Sequence, residues 1–202
     1  MGFGAVGISL AIGTTLGMLG GFYGGAVDQV VGRVTDTIMS LPPLLLVIVF
    51  VSIVGPSLES VVIVIALLTW PWIARLVRGQ YLSLRESEFV TAAHVVGVRD
   101  RDIIVRHLLP NILGPLSVAA TYYTAQAILL EAGLSFLGLG VKPPTPSWGN
   151  MVNLATDASV LQQMPWTWVP PAFSIALIVL AINFVGDGLR DALDPRSNIR
   201  KG

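Results

Sequence analysis

The sequence predicts an all-α, polytopic membrane protein with five spanning helices, and three observations support this. Of its 202 residues, 53% are hydrophobic and 12% charged, whereas a soluble domain carries about 25% charged residues. Asp, Glu, Lys and Arg are absent from residues 1–27, 37–58, 60–74, 108–130 and 158–186, and a bilayer crossing requires about 20 predominantly apolar residues. Between these runs, the basic residues fall on one side of the spans. With a mean hydropathy of +0.75, the chain has no polar surface large enough to keep it in water.

The first helix is placed at 3–23. It carries Ala5, Ser9, Gly13, Gly17, Gly21 and Gly25 at an unbroken spacing of four, a stripe of small residues that lets a neighbouring backbone approach closely. Two partners fit the stripe, another helix of this chain or a second membrane subunit. Residues 26–38 are amphipathic: Val27, Val30, Val31, Val34 and Ile38 share one helical face, and Asp28, Gln29, Arg33 and Asp36 take the other. This pattern predicts an interfacial connector, ended by Leu41-Pro42-Pro43.

The second span, 39–55, is short and begins in the interface. The third, 59–79, reaches full length when Arg75 and Arg78 snorkel from its end to the surface. The fourth runs over 108–137 and the fifth over 168–190. Together they form a transmembrane domain over 2–191, with a loop at 80–107, an opposite loop at 138–167 and a tail at 192–202. The 138–167 loop is rich in Gly, Pro and Trp, which predicts an ordered cap rather than a slack linker.

Of the twelve basic residues, all except Lys142 lie on the face that holds the 80–107 loop and the tail. The positive-inside rule makes that face cytoplasmic, and with it the C-terminus. Trp148, Trp166 and Trp168 then belong to the outer belt. Five spans ending inside would start outside, yet Met1-Gly2 runs into the apolar segment without a basic leader. The expectation is an upstream start and one further helix.

The most informative segment is EFVTAAHVVGVRDRDIIVRHLLPN, Glu88 to Asn111, a charged island in a chain that otherwise avoids charge. It reads as two short helices hinged at Gly97 and leading into a span that opens with Leu109-Pro110. Thr91 precedes Ala92 and Ala93, two small residues that allow a partner surface to come within backbone distance. Gly97 can take positive φ and end the first helix, and Asp100 is placed to cap the second.

This segment resembles the cytoplasmic EAA loop of ABC importer permeases, whose tip is a coupling helix that inserts into a groove on the ATPase. Two further stretches, LSFLGLGVKPPTPSWGNM (Leu134–Met151) and NFVGDGLRDALDPR (Asn183–Arg196), are similar to signatures of the peptide, nickel and opine branch, most of all its second, dipeptide or oligopeptide, permease. The loop departs from the pattern at a few positions. Thr91 stands where the family name has glutamate, with Glu88 one turn earlier, and His94, Arg99 and His107 replace an arginine, a serine and an isoleucine.

The resemblance implies a type I importer permease in the inner membrane of a prokaryote. It implies as partners a second permease subunit forming a heterodimer, two ABC ATPase subunits that bind ATP and Mg, an extracytoplasmic substrate-binding protein and membrane lipid, with no nucleic acid. Glu88, Thr91, Ala92, Ala93, Gly97, Asp100, Leu109 and Pro110 become the ATPase-coupling residues. The implied solute is a short peptide, with nickel or an opine as alternatives.

Catalytic readings find little support in the sequence. A Walker loop needs a lysine within a Gly-rich turn, and the lysines here are Lys142, before Pro143, and Lys201, before the terminal Gly202. No ATPase site and no resident cofactor or metal site is therefore expected. The absence of cysteine excludes thiolate nucleophiles and Cys-based clusters. Gly133-Leu134-Ser135-Phe136 faintly resembles a serine nucleophile turn, but His94 and His107 lie on the loop, about 40 Å away along a helix rising about 1.5 Å per residue. Glu131 and Asn183 are polar residues within spans and so candidates for the translocation path. The competing class, an ATP-independent secondary transporter, would use Glu131 as its ion or proton site. A scaffold role without transport ranks behind both.

Overall fold

A computed structural model describes residues 1–141 and 144–193. Lys142, the basic tail residues Arg196, Arg200 and Lys201, and the end of the Asn183–Arg196 stretch lie outside the described residues. The described chain is built of α1 (Gly2–Tyr23), α2 (Gly25–Met39), α3 (Pro43–Val54), α4 (Leu58–Leu84), α5 (Glu88–Val95), α6 (Asp100–Asp102), α7 (Leu109–Phe136), α8 (Trp148–Asn153), α9 (Ala158–Gln163) and α10 (Pro165–Leu193). Four helical runs, Gly2–Tyr23, Leu58–Leu84, Asp100–Phe136 and Pro165–Ala192, are long and apolar enough to cross a membrane. The fifth expected span departs from a straight helix. α2 and α3 meet at 88° around Leu41–Pro42, and the 12 residues of α3 extend about 18 Å, well short of a hydrocarbon core of about 30 Å. Proline at the first position of α3 fixes the break, because it cannot donate to the preceding turn.

The small-residue stripe packs against the chain's own α4. The Ser9 hydroxyl reaches the Ala66 carbonyl at 3.2 Å. A Cβ added at Gly13, Gly17 or Gly21 would meet the carbonyl oxygens of Trp70, Ala74 and Arg78 at 2.7, 2.6 and 2.8 Å. The offset of 57 seen between Ser9 and Ala66 recurs at each of these steps, so α1 and α4 run parallel and in register. Gly25 leaves the stripe. With Gly24 it adopts positive φ (66° and 55°) and turns the chain into α2.

α2 lies across the end of this pair in a way the amphipathic pattern did not predict. The packed face mixes the two: Val31 and Thr35 are buried, Arg78 makes a bidentate pair with Asp28, and Arg75 pairs with Asp36. Both arginines end on carboxylates of α2. Val27, Val30 and Val34 point outward. The Arg78 hydrogen bonds hold the Asp28 carboxyl below the ordinary carboxylate range.

Two apolar clusters divide the bundle. One joins α1, α3, α4 and α7 through Val6, Val47, Val51, Val61, Ile65 and Leu134. The other joins α4, α5 and the start of α7 through Ile73, Val77, Tyr81, Val90, Ile103 and Leu108. The first stabilises the spans, and the second positions the charged loop.

Candidate functional site

The charged segment forms an elbow rooted in the second cluster. Ser87 precedes α5, and its hydroxyl donates back to the Leu84 carbonyl. Thr91 likewise turns its hydroxyl onto its own helix, to the Ser87 carbonyl. α5 ends in a Schellman motif at Gly97, whose φ is +83°. The N–H of Val98 donates to the Ala93 carbonyl and that of Gly97 to the His94 carbonyl, both at 3.0 Å.

Asp100 does not cap the second short helix. It is the first residue of α6, behind Arg99, and its carboxylate lies 3.5 Å from Nε2 of His94. That approach bridges the Gly97 hinge, while Nδ1 of His94 faces the Val90 carbonyl at 3.1 Å. The His94 ring also stacks on Phe22 of α1, with centroids 6.3 Å apart.

A second difference from the expected layout lies beyond α6. No break separates the second short helix from the span; a π-helical turn, Ile103–Leu108, runs directly into α7. Pro110 supplies no N–H, and its ring crowds the carbonyl four residues back. A widened turn just ahead of it gives the Arg106 carbonyl room, and π-turns of this kind recur at functional sites. Leu109 is partly buried against the second cluster, and Pro110 lies at the surface.

Burial separates the elbow into a root and a tip. Val90, Ile103, Ile104 and Leu108 are buried, and Ala93 and Val98 pack against them. Glu88, Thr91, Ala92 and Gly97 are exposed. Sequence reasoning missed the two most exposed apolar side chains of the elbow, Val95 at 83% and Val96 at 82%. Their signal was present, an apolar pair beside the hinge glycine within a charged island. Arg99 and Arg101 ring them with exposed charge, and Arg106 pairs with Asp102 at 3.3 Å.

The two span candidates, on α7 and α10, are not part of the elbow. Glu131 is close to the far end of α7 rather than deep in the span, and both Ser135 and Ser147 donate to its Oε1 at 2.8 Å. Ser147 in turn caps α8 through the Gly149 N–H, while Asn150 and Asn153 donate to the Val141 and Phe136 carbonyls. These bonds pin the segment around α8 onto α7 as a cap. Asn183 is exposed on α10. Asp187 and Arg190, three residues apart on the same helix, make no ion pair among the described residues.

The comparisons with known proteins agree with this architecture. The sequence model of the binding-protein-dependent transport system inner membrane component family matches residues 13–199. The chain belongs to that family. Among its relatives, a putative peptide permease protein of Brucella ovis is 50% identical over 192 residues, which is 95% of this chain and 64% of that protein. The dipeptide transport system permease protein DppC of Alkalihalophilus pseudofirmus is 47% identical over 97% of this chain and 64% of its own length. The oligopeptide transport system permease protein OppC of Haemophilus influenzae is 43% identical over 94% of this chain and 60% of its own. The chain thus spans less than two thirds of the length of these relatives. In fold it is similar to a chain of the MetNI methionine ABC transporter in an inward-facing conformation, with a TM-score of 0.73, 19% identity, and coverage of 96% of this chain and 91% of that one.

Proposed function

We propose that this family member is a membrane permease subunit of an ATP-driven importer that carries dipeptides or oligopeptides across the cytoplasmic membrane. The observation that carries the reading is the elbow: an exposed tip of Ala92, Val95 and Val96 on a root that is buried among spanning helices. Relatives named as peptide, dipeptide and oligopeptide permeases support a peptide solute over nickel or an opine.

The basic face, with the elbow, is cytoplasmic in this reading, and the tail follows it there. Two ATPase subunits hold ATP and Mg and seat on the elbow. A second permease subunit completes the pathway, and an external binding protein delivers solute to the capped end. Glu88, Thr91, Ala92, Ala93, Gly97, Asp100, Leu109 and Pro110 form the coupling segment, joined by Val95 and Val96.

The mechanism follows from how the elbow is rooted. A push on α5 cannot slide past the bundle, because Val90 is wedged beside Tyr81 of α4 and Ile103 at the head of α7. Closely packed interiors transmit displacement instead of absorbing it. Closing of the ATPases therefore moves α4 and α7 together, and α4 carries α1 with it through the glycine stripe. Access switches from one face to the other by tilting of this unit. The network around Glu131 keeps the outer cap on the moving end of α7; Glu131 holds the cap and relays no proton.

The complex reconstituted in proteoliposomes tests this directly. Uptake of a labelled dipeptide is expected to require the binding protein and ATP on the ATPase side, and to survive collapse of the proton gradient. Uptake that follows the proton gradient and ignores ATP depletion overturns the reading in favour of a secondary transporter.

A further inference from the structure

Half-way along α4 and α7 lies a cleft of about 380 Å³ whose lining includes Thr69, Trp72, Tyr122, Tyr123 and Gln126 and contains no charged residue. Polar groups at this depth are costly against lipid and mark solute pathways or subunit contacts. The neighbouring threonines of α7 show the usual way out of that cost, since Thr121 and Thr124 return their hydroxyls to carbonyls of their own helix. Thr69 does the same on α4, towards Ile65. Tyr122, 53% exposed, and Gln126, also exposed, have no hydrogen-bond partner among the described residues. They stand one helical turn apart on the same face, so a phenol and a carboxamide project side by side.

We propose that this cleft is a subsite of the translocation path in which Tyr122 and Gln126 hydrogen-bond the main chain of a passing peptide. This rests on the functional reading above and adds residues that it did not name. A carboxamide offers both a donor and an acceptor, the pair that one peptide group requires, and it does so whatever the side chains of the peptide are. The absence of charge fits the same task, because a fixed ion would hold one terminus of a short zwitterion and slow its release. Trp72 and Tyr123 supply apolar walls against which varied side chains can lie. The cleft thus recognises what all short peptides share and leaves the choice among them to another component.

The chain has no cysteine, so single replacements give unique thiols. Gln126→Cys and Tyr122→Cys are made in the reconstituted complex, alongside Leu67→Cys, exposed on α4 but outside the cleft. A charged, water-soluble methanethiosulfonate is expected to label both cleft thiols at least tenfold faster than Leu67→Cys. Saturating dipeptide-loaded binding protein with ATP is expected to slow that labelling at least threefold. Labelling as slow as at Leu67→Cys, whether lipid or a subunit covers the cleft, overturns the subsite, and so does labelling that peptide does not change. If one variant fails to assemble, the other and Thr69→Cys carry the same comparison. Wild-type complex without ATP-dependent dipeptide uptake overturns the functional reading along with the subsite; intact uptake with indifferent thiols overturns the subsite alone.

Discussion

The phenolic hydroxyl of Tyr81, near the end of α4, donates to the Ile104 carbonyl at 2.9 Å. That carbonyl also accepts the Leu109 N–H across the π-turn, so one buried oxygen ties the outgoing span, the widened turn and the returning span. Tyr81→Phe removes the hydroxyl and leaves the ring in place. The expected loss is about 1 kcal/mol of stability, the net value of one buried hydrogen bond, read as a lowered melting temperature in detergent. Peptide-stimulated ATP hydrolysis should fall several-fold while membrane insertion is unchanged. Stimulation at the wild-type level would show that the tie is structural only.

Gly97 holds φ at +83° with open space around its Cα, so a substitution there acts through the backbone and not through a clash. Gly97→Val is expected to cost about 1–3 kcal/mol if the conformation is kept, or to unwind the Schellman motif if it is not. Either way Val95 and Val96 lose their placement. The measurement is ATP hydrolysis by the assembled complex, where substrate stimulation should disappear although the variant inserts and can be purified.

At Gly17 the structure predicts a packing failure. A Cβ there would lie 2.6 Å from the Ala74 carbonyl oxygen and 2.8 Å from Val77, and backbone cannot yield as a flexible side chain would. Gly17→Val should separate α1 from α4 at a cost of about 3 kcal/mol or more. Gly7→Val, with nothing within 4 Å of the added carbon, should be near neutral. Denaturant titration of both variants in micelles compares them; equal stability would contradict the parallel register of the two helices.

Asp28 and Arg78 make the pH-sensitive contact. The Asp28 pKa is lowered in the fold by the Arg78 hydrogen bonds. Its stabilising contribution is therefore complete above the unfolded value of about 3.9 and is lost as pH falls through the folded value. The pair is partly solvated, with side chains 19% and 35% exposed, so Asp28→Asn should cost about 1 kcal/mol. The melting-temperature gap between wild type and Asp28→Asn should be constant from about pH 5 upward and close below about pH 4. A gap that widens on acidification would contradict the assignment.

How much of this was legible in the sequence varies with the range of the interaction. Spans could be read because hydropathy is local: 3–23 and 108–137 were expected, and Gly2–Tyr23 and Leu109–Phe136 are observed. The Gly97 hinge was legible for the same reason, since one residue type fits one backbone conformation. The partner of the glycine stripe was left open, because spacing shows that something packs closely but not what. The Asp28–Arg78 pair joins residues 50 apart, and the valine pattern of α2 placed Asp28 opposite Val31, which packs inward beside it. Pairing across 50 residues of chain set the orientation there, which a local apolar pattern cannot report. The cap role expected of Asp100 failed because Arg99 begins the turn one residue earlier, and the hydrogen bonds that tie Glu131 to Ser135 and Ser147 depend on a loop fold that hydropathy does not report.

The central claim is that the tip of the elbow is where an ATPase subunit binds. A photo-crosslinking reagent on a single cysteine at Ala92, in the assembled complex, tests it most directly across nucleotide-free, ATP-bound and ADP-bound states. The account predicts capture of the ATPase subunit in at least one state, and weaker capture when Val95 and Val96 are both replaced by Asp. No ATPase crosslink in any state, from a complex that still transports peptide, would contradict it.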